Sequence, residues 1–109
     1  MNKKLNNNST IMGIDPGTNI MGFGVIKIIK NEMNLVDMIE YKLPTKDDHN
    51  VKIYKIFQKT SELIKNYNPN YIAIESPFFG KNVQSMLKLG RAQGVSIAAA
   101  LNFNIPITE

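Results

Sequence analysis

Ser9-Thr10-Ile11-Met12-Gly13-Ile14-Asp15, followed by Pro16-Gly17-Thr18, decides how the chain is to be read. A short apolar run ends on a carboxylate and is broken at once: Pro fixes φ, and Gly accepts conformations closed to other residues. Such a run predicts a buried strand over Ser9–Asp15 and a tight turn after it. Gly22–Ile29, with Phe23, Val25, Ile26, Ile28 and Ile29, reads as a second strand, and Asn31-Glu32 as a hairpin turn. A third strand spans Met33–Leu43, with apolar residues in loose alternation at Leu35, Ile39, Tyr41 and Leu43. Three consecutive strands joined by tight turns predict an antiparallel meander.

Beyond Pro44–Asn50, where Asp47 or Asp48 is placed to cap a helix, the period changes. Ile53, Ile56, Phe57, Thr60, Leu63, Ile64 and Tyr67 recur at three- and four-residue steps, which predicts a helix over Val51–Tyr67, stopped by Asn68-Pro69. Tyr71-Ile72-Ala73-Ile74-Glu75 is a second buried-type strand that ends on a carboxylate. A second helix is expected from about Asn82 to Leu101, and Ile105–Thr108 begins a further strand. The order β-β-β-α-β-α-β implies an α/β fold, with a mixed sheet of three antiparallel strands followed by parallel strands joined by helical crossovers. Residues 1–9 read as a polar tail and 10–109 as one domain.

Asp15 and Glu75 each close a strand that belongs inside the sheet. If those strands are neighbours, both carboxylates reach one crevice at the strands' C-terminal ends, where open α/β sheets bind ligands. Two adjacent carboxylates repel unless a proton or a cation sits between them, and Mg²⁺ favours one or two carboxylates with waters and phosphate oxygens. Equally, Asp15 is a common capping residue before Pro-Gly, and Glu75 has lysines to pair with. Spacing alone leaves both readings open.

On a projection of the second helix at ~100° per residue, Val83, Met86, Gly90, Gly94, Ile97 and Leu101 share one face. Lys81, Gln84, Lys88 and Arg91 lie on or near the opposite one, where Val95, Ala98 and Ala99 follow. The first half is therefore expected to be amphipathic, with the second half buried on both sides. Lys81, Lys88 and Arg91 are candidates for phosphate contacts, against the plain alternative of a solvated face. Gly90 and Gly94 suggest close approach of another backbone. In Ser76-Pro77-Phe78-Phe79-Gly80, one exposed Phe beside the crevice could stack on an unpaired base.

Bulk properties set outer limits. A net charge of +4 with a pI near 9.4 permits a polyanionic partner. With no cysteine there is neither a disulfide nor a thiolate metal site. No secretory leader or membrane span is visible, and the expected location is the cytoplasm.

Taken together, Gly13-Ile14-Asp15-Pro16-Gly17-Thr18 with Gly22-Phe23-Gly24-Val25-Ile26, then Ala73-Ile74-Glu75, then Phe78-Phe79-Gly80-Lys81-Asn82 running into Ser85-Met86-Leu87-Lys88-Leu89-Gly90-Arg91-Ala92-Gln93-Gly94-Val95, resemble the RuvC family of junction resolvases. The similarity runs from about Ile11 to Glu109. It implies an RNase H-like fold and a homodimer that nicks opposed strands of four-way junction DNA in recombination and repair. Asp15 and Glu75 match metal carboxylates for Mg²⁺ (two ions in a complete site, with Mn²⁺ a substitute). Phe78 matches the aromatic set against the opened junction, and Lys81 and Asn82 fall in the DNA-contacting loop and helix start. The implied chemistry is in-line attack on phosphorus by a metal-activated water, leaving a 5′ phosphate. Branch-migration proteins of the RuvA and RuvB type are the implied companions.

The resemblance also implies later helices with further acidic ligands, which nothing here matches. The expectation is an incomplete resolvase domain with little nuclease activity. Two other functions remain in view: a junction-binding module without cleavage, and an ATP-binding fragment, since Gly13–Thr18 also resembles the phosphate loop of actin/Hsp70-like ATPases.

Overall fold

The computed structural model describes residues 8–76 and 82–109. Among them, five strands form one sheet in the order β3-β2-β1-β4-β5. The strands are β1 (Ser9–Asp15), β2 (Ile20–Ile29), β3 (Glu32–Lys42), β4 (Tyr71–Ile74) and β5 (Ile107–Thr108). Helix α1 (His49–Tyr67) joins β3 to β4, and α2 (Val83–Asn102) joins β4 to β5. The first three strands pair antiparallel, and β4 lies parallel to both β1 and β5. This is the expected mixed α/β sheet with helical crossovers. No helix among the described residues is long and apolar enough to cross a membrane.

The core lies on one face of the sheet. Met12 and Ile14 of β1, Met21, Phe23 and Val25 of β2, and Ile72 and Ile74 of β4 project there at two-residue spacing, all buried. Ile56, Leu63 and Ile64 of α1, with Ala92 and Ala100 of α2, close over them. Each fully buried Ile or Met contributes roughly 1.5–3 kcal/mol. Asn68 ends α1 in the left-handed conformation (φ 47°), donating its N–H to the Ile64 carbonyl.

Three local expectations are corrected. The β2–β3 turn is Lys30-Asn31 rather than Asn31-Glu32, since Ile29 pairs with Glu32 and both turn residues have positive φ (52° and 67°). That is the two-residue turn whose twist matches the flanking strands. Second, the alternation in β3 is interrupted between its pairings Val25↔Asp37 and Ile26↔Leu35. Val36 is the extra residue of this bulge, so Leu35 leaves the face shared by Ile39 and Tyr41 and is 65% exposed. Asp37 instead accepts a hydrogen bond from the Tyr67 hydroxyl, which holds that phenol above its usual pKa.

Third, the face of α2 that packs inward is not the expected one. Ala92, Ser96, Ala99 and Ala100 are buried, whereas Val83, Leu87 and Leu101 are 73%, 51% and 59% exposed. Small residues allow α2 to lie close against α1 and the sheet, and the Ser96 hydroxyl is satisfied by the Ala92 carbonyl at 2.9 Å. The face that carries Val83, Leu87 and Leu101 is therefore the outer one. The second half of α2 is buried on one side rather than two.

Gly17 is required for a reason other than positive φ, which no glycine here adopts among the described residues. A Cβ at Gly17 would stand 2.1 Å from the Ile20 carbonyl oxygen. Gly17→Ala should lose about 1–3 kcal/mol in denaturant unfolding with an unchanged m-value; a loss within a few tenths would show that the turn relaxes freely.

Candidate functional site

The carboxylates converge because β1 and β4 are parallel neighbours. Ile14 pairs with Ile74, and the Glu75 N–H donates to the Ile14 carbonyl at 3.0 Å. Asp15 and Glu75 are thus the next residues in register, one strand spacing of about 4.8 Å apart along the backbone. Both alternate away from the core, onto the face opposite the helices, and both are exposed. Among the described residues neither carboxylate takes part in an ion pair.

The floor between them is built from residues without bulk. Gly13, Gly22, Gly24 and Ala73 line the same open concavity of about 910 Å³ as Asp15 and Glu75. Gly13 pairs with Gly24, and Gly22 lies opposite Asp15. A Cβ at Gly22 would rest 3.4 Å from the Asp15 Cβ, so glycine keeps this floor low rather than avoiding a clash.

A third acid lines the concavity that reading by strand ends did not pick out. Glu40 of β3 pairs with Gly22, which pairs in turn with Asp15, so the row across the sheet is Glu40, Gly22, Asp15, Glu75. The available signal was the alternation of Ile39 and Tyr41 with Glu40. Two strand spacings, about 10 Å, separate Glu40 from Asp15, and no group of three or more His, Cys, Asp or Glu among the described residues could hold one metal ion. Asp15 and Glu75 are therefore the pair suited to a shared cation, because Mg²⁺ accepts two carboxylates and fills its remaining positions with water. At the outer end, the Ser76 hydroxyl donates to a Glu109 carboxylate oxygen at 3.0 Å.

The other candidates fall in different places. Phe78 and Lys81 lie outside the described residues. The Asn82 side chain caps α2, accepting from the Gln84 and Ser85 amides at 2.9 and 3.3 Å. This leaves its amide nitrogen to donate elsewhere. Lys88 lines a second cleft, of about 630 Å³, formed by Gly17–Ile20, the start of α1 and the first turns of α2. Arg91 is exposed and close enough to His49, at the start of α1, to disfavour its protonation. Among the described residues, a Cβ added at Gly90 or Gly94 would meet no neighbouring element within 4 Å, so neither glycine serves close approach to the sheet.

With this geometry in place, comparison with known proteins is decisive. The family described as crossover junction endodeoxyribonuclease RuvC matches residues 11–109. The chain belongs to the RuvC family. It is 62% identical over 99 residues to RuvC of Christiangramia forsetii, covering 91% of this chain and 52% of that protein. RuvC of Cytophaga hutchinsonii is 54% identical over the same length, with half of its chain covered. The chain thus spans about half the length of the curated relatives it matches. In fold it resembles Thermus thermophilus RuvC in complex with a Holliday junction substrate, with a TM-score of 0.81 at 23% identity, covering 91% of this chain and 62% of that one. A yeast mitochondrial Holliday junction resolvase gives a TM-score of 0.68 at 13% identity, covering 95% and 53%. The fold is RNase H-like. RuvC family membership over this span displaces the actin/Hsp70-like reading of Gly13–Thr18.

His49 allows a test of the second cleft's electrostatics. Its pKa is held below 6.5 by burial first, then by Arg91, Lys88 and Lys52, with Asp48 opposing. A lowered folded-state pKa means that the neutral ring's contribution to stability is complete above about pH 6.5. It is lost as pH falls from there through the folded pKa. His49→Gln should flatten this part of the stability profile between about pH 7 and 5; an unchanged slope would remove His49 as its source.

Proposed function

We propose that this chain carries part of the catalytic domain of a structure-specific endonuclease acting on four-way DNA junctions by metal-assisted phosphodiester hydrolysis. The observation that supports this most directly is the placing of Asp15 and Glu75 at adjacent strand ends, facing an open concavity, in a chain of the RuvC family. Asp15 and Glu75 would hold Mg²⁺, with Mn²⁺ able to replace it. Bound there, the ion supplies an activated water and charge stabilisation for the departing oxygen. The chain's own contribution is to orient the scissile phosphodiester. The low floor at Gly13, Gly22 and Gly24 admits a backbone to the carboxylates. Phe78, Lys81, Asn82, Lys88 and Arg91 are proposed to hold the DNA around it.

The homodimer is proposed on the outer face of α2. Val83, Leu87 and Leu101 are exposed there, and the space over Gly90 and Gly94 is open. Isologous packing of two such faces would bury them and set two carboxylate pairs for symmetric cuts. On the family resemblance, the work is done in the cytoplasm alongside branch-migration proteins of the RuvA and RuvB type.

A second reading, junction binding with little cleavage, is favoured by the distance of Glu40 from the Asp15–Glu75 pair, since no third acid among the described residues joins them at one ion. Two carboxylates hold Mg²⁺ weakly and position it loosely. Both readings require the same preference of substrate. The chain should bind a four-way junction at least about tenfold more tightly than a duplex of matched sequence, a difference of roughly 1.4 kcal/mol. Any nicks made with Mg²⁺ should be paired, symmetric and abolished by Asp15→Asn, with binding retained. Equal affinity for junction and duplex would overturn both readings.

A further inference from the structure

We infer that the cleft between the β1–β2 turn and the N-terminal turns of α1 and α2 seats a second phosphate of the bound DNA strand, separate from the phosphodiester at Asp15 and Glu75. The assignment to DNA rests on the endonuclease reading above; the anion-binding character of the cleft does not.

Lys52 is the first reason. It is 8% exposed, and its ammonium donates to the Asn19 side-chain oxygen at 3.0 Å. Among the described residues it has no carboxylate partner. A buried cation without a counter-charge is costly, and an ammonium has two further donors to offer an anion. His49 is the second reason: its Nε2 is buried, with no hydrogen-bond partner among the described residues. Lys88, on the opposite wall, adds another positive charge.

Neutral donors complete the lining. The hydroxyls of Thr18, Thr45 and Ser85 border the cleft. Both helices begin beside it, and neither has an acidic residue in its first turn. Their positive ends are met only in part, by the Asn82 oxygen on α2 and by the Asp48 carboxylate beside α1, and favour an outside anion. One carboxylate, Asp47, also lines the cleft, but it is engaged by Lys55 at 2.5 Å. Asp48 caps α1 by position without a side-chain bond and lies exposed.

Placement favours a nucleic-acid strand over a small free anion as the occupant. Gly17, which lines the cleft, is two residues beyond Asp15, so one short turn connects the two sites. A strand whose scissile phosphodiester meets the carboxylates has neighbouring phosphates that can follow this turn onto the cationic side. The first site is acidic and needs a metal to accept phosphate. The second accepts it directly, and so would fix the strand's register at the first.

His49 is the chain's one histidine, so its ring resonances report the cleft without ambiguity. The experiment follows the His49 titration by NMR in the whole chain, free, with excess four-way junction, and with inorganic phosphate alone. Junction affinity is measured in parallel across a salt series for the chain and for Lys88→Gln, which alters an exposed side chain. The His49 midpoint should rise by about half a unit or more with bound junction, because an adjacent anion favours the protonated ring over the repulsion of Lys52, Lys88 and Arg91. Lys88→Gln should flatten the dependence of log K on log salt by about one. A midpoint unmoved by bound junction overturns the inference and leaves the endonuclease reading intact. A midpoint that moves with phosphate, in a chain that binds no junction, overturns the assignment to DNA together with the reading on which it rests.

Discussion

The parallel pairing of β1 with β4 is the constraint on which the site depends. Register in a parallel ladder is set along the whole strand, so the pairing of Met12 with Ile72 and Ile14 with Ile74 in the core also sets Asp15 beside Glu75 at its edge. The Glu75 amide bonded to the Ile14 carbonyl extends that ladder by one step beyond the strand. A one-residue slip would turn Ile72 and Ile74 away from the core and Glu75 towards it. Burial of apolar side chains on one face thus holds two like charges together on the other, and their repulsion is what makes a bound cation favourable.

The two faces of the sheet divide the work. One is packed by α1 and α2 over large apolar side chains; the other is kept low by glycine and alanine around the acids. The β1–β2 turn joins them, passing from Asp15 to the cationic cleft within a few residues. Gly17 permits this because Ile20 folds back so closely that no side chain fits between. On the proposed function, an acidic site and a basic site on either side of one tight turn would serve a polyanion that is both held and cut.

Strand ends and helix periods were legible wherever one face of an element is buried and the other wet. Ser9–Asp15 and Tyr71–Glu75 show plainly as short apolar runs closed by a carboxylate, which is what singled out Asp15 and Glu75. Legibility failed where the determinant is not in the local pattern. The Val36 bulge shifts Leu35 off its expected face, and a single extra residue leaves no periodic trace. In α2 the buried face is made of Ala92, Ser96, Ala99 and Ala100, because helix packing there rewards small size, while the larger side chains stay outside. The Glu40 placement, across neighbouring strands, and the His49–Lys52 cleft, between the β1–β2 turn and two helix starts, escaped notice because each brings together residues well separated in the chain.

The most direct test of the shared carboxylate site is a titration of the chain with Mn²⁺, followed by paramagnetic broadening of its amide NMR signals. Broadening should centre on Asp15, Glu75 and the Gly22 floor. It should be weakened strongly by Asp15→Asn or by Glu75→Gln, with little further loss when the two substitutions are combined. Broadening centred elsewhere, or single substitutions that each leave it in place, would contradict the claim that these two strand ends form one metal site.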